Sequence, residues 1–149
     1  MRERSTTAAA AGVALAAGEP ALDVEIAAPE ALPLSPAECE RAARVALVAA
    51  GVLDGHLAIA FVAAERIREL NAAHRGIEHA TDVLSFPVDG PGPAAGPREL
   101  GDVIVCPARA ADLEEAIVHG VLHLCGYDHE RDAGEMLGLQ DRVLRALRG

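Results

Sequence analysis

The sequence predicts an α+β fold in which a mixed four-stranded sheet packs with helices in the order β-α-β-α-β-β-α-α. Three observations lead there. A chain of 149 residues with 51% hydrophobic and 24% charged content suits one globular domain able to bury a core. Short stretches with the two-residue period of a strand alternate with stretches of helical period. Two strand-like runs, Asp82 to Pro87 and Leu100 to Cys106, follow one another with no helix between them, which implies a mixed sheet rather than a doubly wound one.

Leu22-Asp23-Val24-Glu25-Ile26 alternates apolar and polar residues and reads as the first strand, closed off by Pro29, Pro33 and Pro36. Ser35-Pro36-Ala37-Glu38 supplies a cap, a proline at the first helical position and an acidic first turn. It opens an apolar helix through Val45, Leu47 and Val48 to Gly51. His56 to Val62 is the second strand, and Ile67, Leu70 and Asn71 with charges between them give a short amphipathic helix from Ala64 to about His74. Asp82 to Pro87 is a strand stopped by proline, and Val88 to Glu99 is a Gly/Pro-rich loop. After the fourth strand a helix runs from Ala108 to Cys125. The last begins near Asp132, with Glu135 completing a capping box, and ends about Arg148.

Net charge is −10 and every basic residue is arginine, so the global field repels nucleic acid and anionic membranes. A local basic cleft or a bound metal ion escapes that count. Cys39, Cys106 and Cys125 form an odd set with no paired framework, as expected of a reduced, cytoplasmic protein. Residues 1–20 carry Arg2 and Arg4 before an alanine-rich run, but Glu3 interrupts the charged end and the run is too short and weakly apolar to span a bilayer. They are expected to form a disordered extension, leaving 21–149 as a single domain.

The chemistry sits in His119-Gly-Val-Leu-His123-Leu-Cys-Gly-Tyr-Asp-His129. Residues four apart share a helix face, so His119 and His123 can aim at one point. Gly126 can end the helix in a left-handed conformation and turn the chain back to deliver His129. Three protein ligands leave one tetrahedral position open, the arrangement of a catalytic zinc. Cys125, two residues past His123, points to another face and is a packing residue. His56, His74 and His79 carry no functional claim. The same spacing occurs in metzincin proteases, where a glutamate follows the first histidine and takes a proton from water. Gly120 stands in its place, which disfavours that mechanism. Asp128 either caps the turn or serves the site, by orienting a histidine or handling a proton.

These residues resemble the YbeY endoribonucleases, bacterial ribosomal RNA maturation factors. The histidine stretch matches that family's signature, and Leu70-Asn71 with Arg75, Thr81 to Pro87, and Leu100 to Ile104 match further blocks in the same order. The resemblance implies a zincin-like α+β fold, one zinc ion on His119, His123 and His129, and Arg75 as the arginine important for RNA cleavage. It implies a metal-dependent, single-strand-specific endoribonuclease that matures the 3′ end of small-subunit ribosomal RNA and serves ribosome quality control. Ribosomal RNA and the small subunit would then be its partners. Thr81 and Ser85 contact RNA or face solvent, and Asp82 secures the turn. The chain departs from the family at Pro107 to Val118, which is shorter than the family's helix, loop and metal-bearing helix, and in its N-terminal extension. Two other readings stand beside this one: a non-catalytic, metal-stabilised ribosome-assembly factor, and another metal hydrolase such as a peptidase.

Overall fold

The computed structural model describes residues 21–27, 32–89 and 98–149; the N-terminal extension and most of the loop read between Val88 and Glu99 lie outside them. The elements follow the predicted order: β1 (Ala21–Ala27), α1 (Pro36–Ala49), β2 (Asp54–Phe61), α2 (Ala64–Arg75), β3 (Val83–Pro87), β4 (Glu99–Val105), α3 (Leu113–Leu124) and α4 (Glu135–Arg148). The sheet runs β1-β2-β4-β3. β1, β2 and β4 are mutually parallel, and β3 lies antiparallel against β4, as adjacent strands without a crossover helix require.

Local chemistry explains the helix starts. Ser35 and Glu38 form the capping box: the Glu38 N–H donates to Ser35 Oγ at 3.1 Å and the Ser35 N–H to Glu38 Oε1 at 2.8 Å. The helix expected from Ala108 is instead divided. Pro107–Arg109 forms one 3-10 turn, and α3 begins only after Asp112, whose carboxylate accepts from the Glu115 N–H at 3.1 Å. Asp112 competes for the backbone and starts the helix anew. α4 likewise begins later than Asp132. Gly134 takes the cap position at φ +105°, while Asp132 reaches forward to the Met136 N–H at 2.9 Å and Glu135 reaches back to the Ala133 N–H at 2.8 Å.

The core is aliphatic, because the chain has few aromatic side chains to offer. On one face of the sheet, Leu57, Ile59, Val103 and Val105 pack against α1, α3 and α4. On the other, α2 sets Ile67 against Leu84 and Cys106 in a smaller cluster. α3 is the most enclosed helix, with Ile117, Val118, Val121 and Leu122 fully buried. No helix among the described residues is long and apolar enough to cross a membrane.

His56 ties three strands together. Its Nε2 lies 3.1 Å from Glu25 Oε1 on β1 and its Nδ1 2.9 Å from Glu99 Oε1 on β4. Burial works to lower its pKa, but the hydrogen bonds to Glu99 and Glu25 and the charges of Glu99 and Asp23 together raise it above the ordinary value. A raised folded pKa means that the bridge stabilises the fold below the unfolded value of about 6.5 and loses that contribution as pH rises through the folded value. His56→Gln is therefore expected to lower Tm at about pH 5.5 and to have little effect at about pH 8.5, either side of histidine's titration. Thermal melts at both pH values check this, and a pH-independent difference would count against it.

Candidate metal centre

The centre is built on the close approach of α3 to the sheet. A side chain at Gly120 would place its Cβ 2.6 Å from Val103 Cγ1 and 2.7 Å from Val83 Cγ2, nearer than real contacts allow, so only glycine lets the helix lie this low. Ser85 fastens the approach by donating its hydroxyl to the Gly120 carbonyl at 2.6 Å. That bond pins the helix to β3, so Ser85 does not simply face solvent. His119 and His123, flanking this contact, are the half-exposed residues of a helix otherwise apolar around them.

The end of α3 returns the chain as expected. Gly126 sits at φ +102°, the Gly126 N–H donates to the His123 carbonyl at 3.0 Å, and the Tyr127 N–H reaches the Leu122 carbonyl at 3.1 Å. These two bonds form a Schellman turn, which a residue with a Cβ would strain. Asp128 then accepts from the Glu130 N–H at 3.0 Å, with Arg131 Nε 3.4 Å from its other oxygen. Of its two readings, turn capping is the one the geometry supports.

This turn brings His129 to the helix pair. The ligand nitrogens of His119, His123 and His129 lie within 4.8 Å of one another, and among the described residues theirs is the one group with such a geometry. Imidazole donors suit a transition-metal ion, and three of them grouped this closely could hold one. Cys125 stands outside the group, free and packed against the core, with burial pushing its thiol up to about 11. Burial first, then the neighbouring His119, hold His123 below its ordinary pKa; His129 adds to this, while the Tyr127 backbone and the Asp128 charge oppose it. A neutral ring is the form that donates a lone pair to a metal.

One residue of the centre gives no sign of itself in the sequence. Gln140, on α4, has its Oε1 2.8 Å from His119 Nδ1. An amide oxygen only accepts, so Nδ1 carries the proton and Nε2 is left as the ring's donor nitrogen. Gln140→Leu is expected to weaken metal affinity about 10- to 100-fold while Gln140→Glu retains most of it. Titration against a chromophoric chelator reads both, and wild-type affinity in the leucine variant would remove Gln140 from the centre.

The three histidines line a cleft of about 730 Å³ whose other wall is formed by His74, Arg75 and residues 81–87. Arg75 ends α2, where Gly76 takes the left-handed cap at φ +71°. Its side chain makes no hydrogen bond or ion pair among the described residues. Asn71, buried in the same helix, donates to the His79 carbonyl at 3.0 Å and so ties the following loop to α2. Thr81 and Asp82 line the cleft, and the Asp82 carbonyl accepts from the Cys106 N–H at 2.8 Å, which secures the start of β3.

Fold and site together define an α+β protein of zincin-like architecture with a three-histidine centre able to hold a metal ion. Residues 36–148 match the family model described as Endoribonuclease YbeY, and the chain belongs to the YbeY family. It is 46% identical over 98 residues to the endoribonuclease YbeY of Rubrobacter xylanophilus, covering 64% of this chain and 70% of that protein. Over 138 residues it is 38% identical to that of Paramagnetospirillum magneticum, covering 79% and 84%. Against that of Anaeromyxobacter sp. it is 42% identical over 114 residues, or 67% of this chain and 58% of the relative. The solution structure of TM1509 from Thermotoga maritima shares the fold with a TM-score of 0.51 at 26% identity, covering 83% of this chain and 88% of that one.

Proposed function

We propose that this chain is a zinc-dependent, single-strand-specific endoribonuclease acting in the cytoplasm on ribosomal RNA of the small subunit, in 3′-end maturation and ribosome quality control. The observation that carries the reading is the Arg75 guanidinium, which has no hydrogen-bond or ion-pair partner among the described residues and lines the same cleft as the three histidines, in a chain of this family. Zinc held by His119, His123 and His129 would supply Lewis-acid polarisation of a phosphate oxygen and make water more acidic.

The protein's own residues supply the rest. Arg75 holds permanent charge and can pair two phosphate oxygens through one planar fork, offsetting locally the chain's net charge of −10. Gln140 fixes the ring of His119, so that a ligand nitrogen needs no reorganisation. Gly120 leaves no room for the glutamate a metzincin would use, which counts against peptide hydrolysis. Asp128, the carboxylate beside His129 in the chain, caps its turn by accepting from the Glu130 N–H at 3.0 Å, and Gly120 offers no base in the metzincin position. That observation favours, as a second reading, a metal-stabilised assembly factor that binds the ribosome without cleaving RNA.

Single-turnover cleavage of a small-subunit ribosomal RNA fragment by zinc-loaded protein separates the two. Wild type is expected to cleave, and Arg75→Ala to be slower by about 10²-fold, the scale for losing one charge-stabilising group. If the RNA stays intact while zinc and ribosome binding persist, the assembly reading replaces the nuclease one; cleavage of peptides but not RNA would replace both.

A further inference from the structure

We propose that the ring pair His74 and Phe86 forms a nucleobase-stacking subsite on the Arg75 wall of the cleft, holding the base of a nucleotide next to the phosphate that Arg75 binds. This rests on the ribonuclease reading above and adds the way the strand is gripped.

The chain holds two phenylalanines, one tyrosine and no tryptophan. Phe61 is buried at 4% exposure and belongs to the core. The other two, Phe86 and Tyr127, both line the cleft, half-buried. A chain that builds its core from aliphatic residues has thus set two of its three large rings where water reaches them, beside the metal centre. Apolar rings left half wet forgo part of the gain from burial, and a ligand that covers them recovers it.

Phe86 is also anchored. On β3 it shares the face of Leu84, and it packs against the Ile67 cluster beneath α2. His74, exposed on the last turn of α2, meets Phe86 edge to face with ring centroids 4.8 Å apart at 66°. The anchored ring holds the exposed one, so the pair presents aromatic surface at little cost in side-chain freedom. Arg75, the next residue, supplies the charge. An arginine that tracks the phosphate beside rings that stack a base is the combination by which proteins hold single strands, and it tolerates any base because each has a π-face. A duplex, whose bases are already stacked and paired, offers no such face.

Two 2′-O-methyl hexanucleotide probes with the same number of phosphates test this, one of oligouridylate and one abasic at its central positions. Fluorescence anisotropy reads both at low salt, and neither can be cleaved at the modified positions. Wild type is expected to bind the base-bearing probe about tenfold more tightly, within the range for stacking one base. His74→Ala should erase that preference while leaving the abasic probe's affinity unchanged, and His74→Phe should restore it. Phe86→Leu, which keeps an apolar anchor, should reduce it. Arg75→Ala should weaken both probes by one common factor, because it acts on phosphate. An undiminished preference in both His74→Ala and Phe86→Leu overturns the stacking subsite and leaves the ribonuclease reading intact. Failure of wild type to bind either probe overturns that reading, and the subsite with it.

Discussion

His123→Ala is expected to lower bound metal from about one ion per chain to near zero after purification without chelators and to reduce RNA cleavage by about 10³-fold, the scale of several kcal/mol lost with a metal's charge stabilisation. The fold should survive, because His123 is half-exposed and its core-facing neighbours Val121, Leu122 and Leu124 are untouched. The stability response is the sharper test. Zinc that binds only the folded state stabilises it by about 2.7 kcal/mol at a concentration one hundred times its Kd. Wild type should therefore show a zinc-dependent rise in its urea midpoint and His123→Ala almost none. In the absence of zinc the two should denature nearly alike, since the His123 ring is half-exposed and lies outside the hydrophobic core. Equal zinc protection of both proteins would show that the ion binds elsewhere.

What the sequence disclosed, and what it withheld, divides by distance along the chain. The Ser35 and Glu38 capping box and the turn at Gly126 are set by residues three to five apart, and such signals survive in a one-dimensional string. The histidine pair is legible for the same reason, since helical periodicity places positions 119 and 123 on one face. The antiparallel join of β3 to β4 could be read because no helix lies between them. Ser85 and Gly120 are 35 residues apart, and Gln140 and His119 are 21 apart; nothing local in either polar residue announces a partner. His56 is withheld in the same way, because its two glutamates come from different strands and meet only through register. The false start of α3 at Ala108 has another cause. Alanine and leucine favour helix throughout that segment, and Asp112 interrupts it by capping α3.

Gly120 joins these two scales, and its replacement is expected to damage fold and centre together. Gly120→Ala would gain about 1 kcal/mol of helix propensity if the position were exposed. Here the new methyl would stand 2.6 Å from Val103 and 2.7 Å from Val83, one of them fully buried and both β-branched with little rotamer freedom to retreat. Overpacking of this kind costs about 1–3 kcal/mol and sometimes more, so the net effect should be destabilising. The strain would be relieved by lifting α3 off the sheet, which stretches the 2.6 Å bond from Ser85 and displaces His119 and His123 relative to His129. Metal affinity should fall along with the urea midpoint. Trimming the obstacle supplies the control: Gly120→Ala combined with Val83→Ala should recover part of the metal affinity, a rescue that simple additivity does not give. Gly120→Glu should be worse than alanine, since it adds a charge to the same crowded contact. If Gly120→Ala proved as stable as wild type with unchanged affinity, the helix would have room that its packing denies. Otherwise the missing protease glutamate is not a catalytic group lost from an open position, because the packing that aims the histidines excludes it.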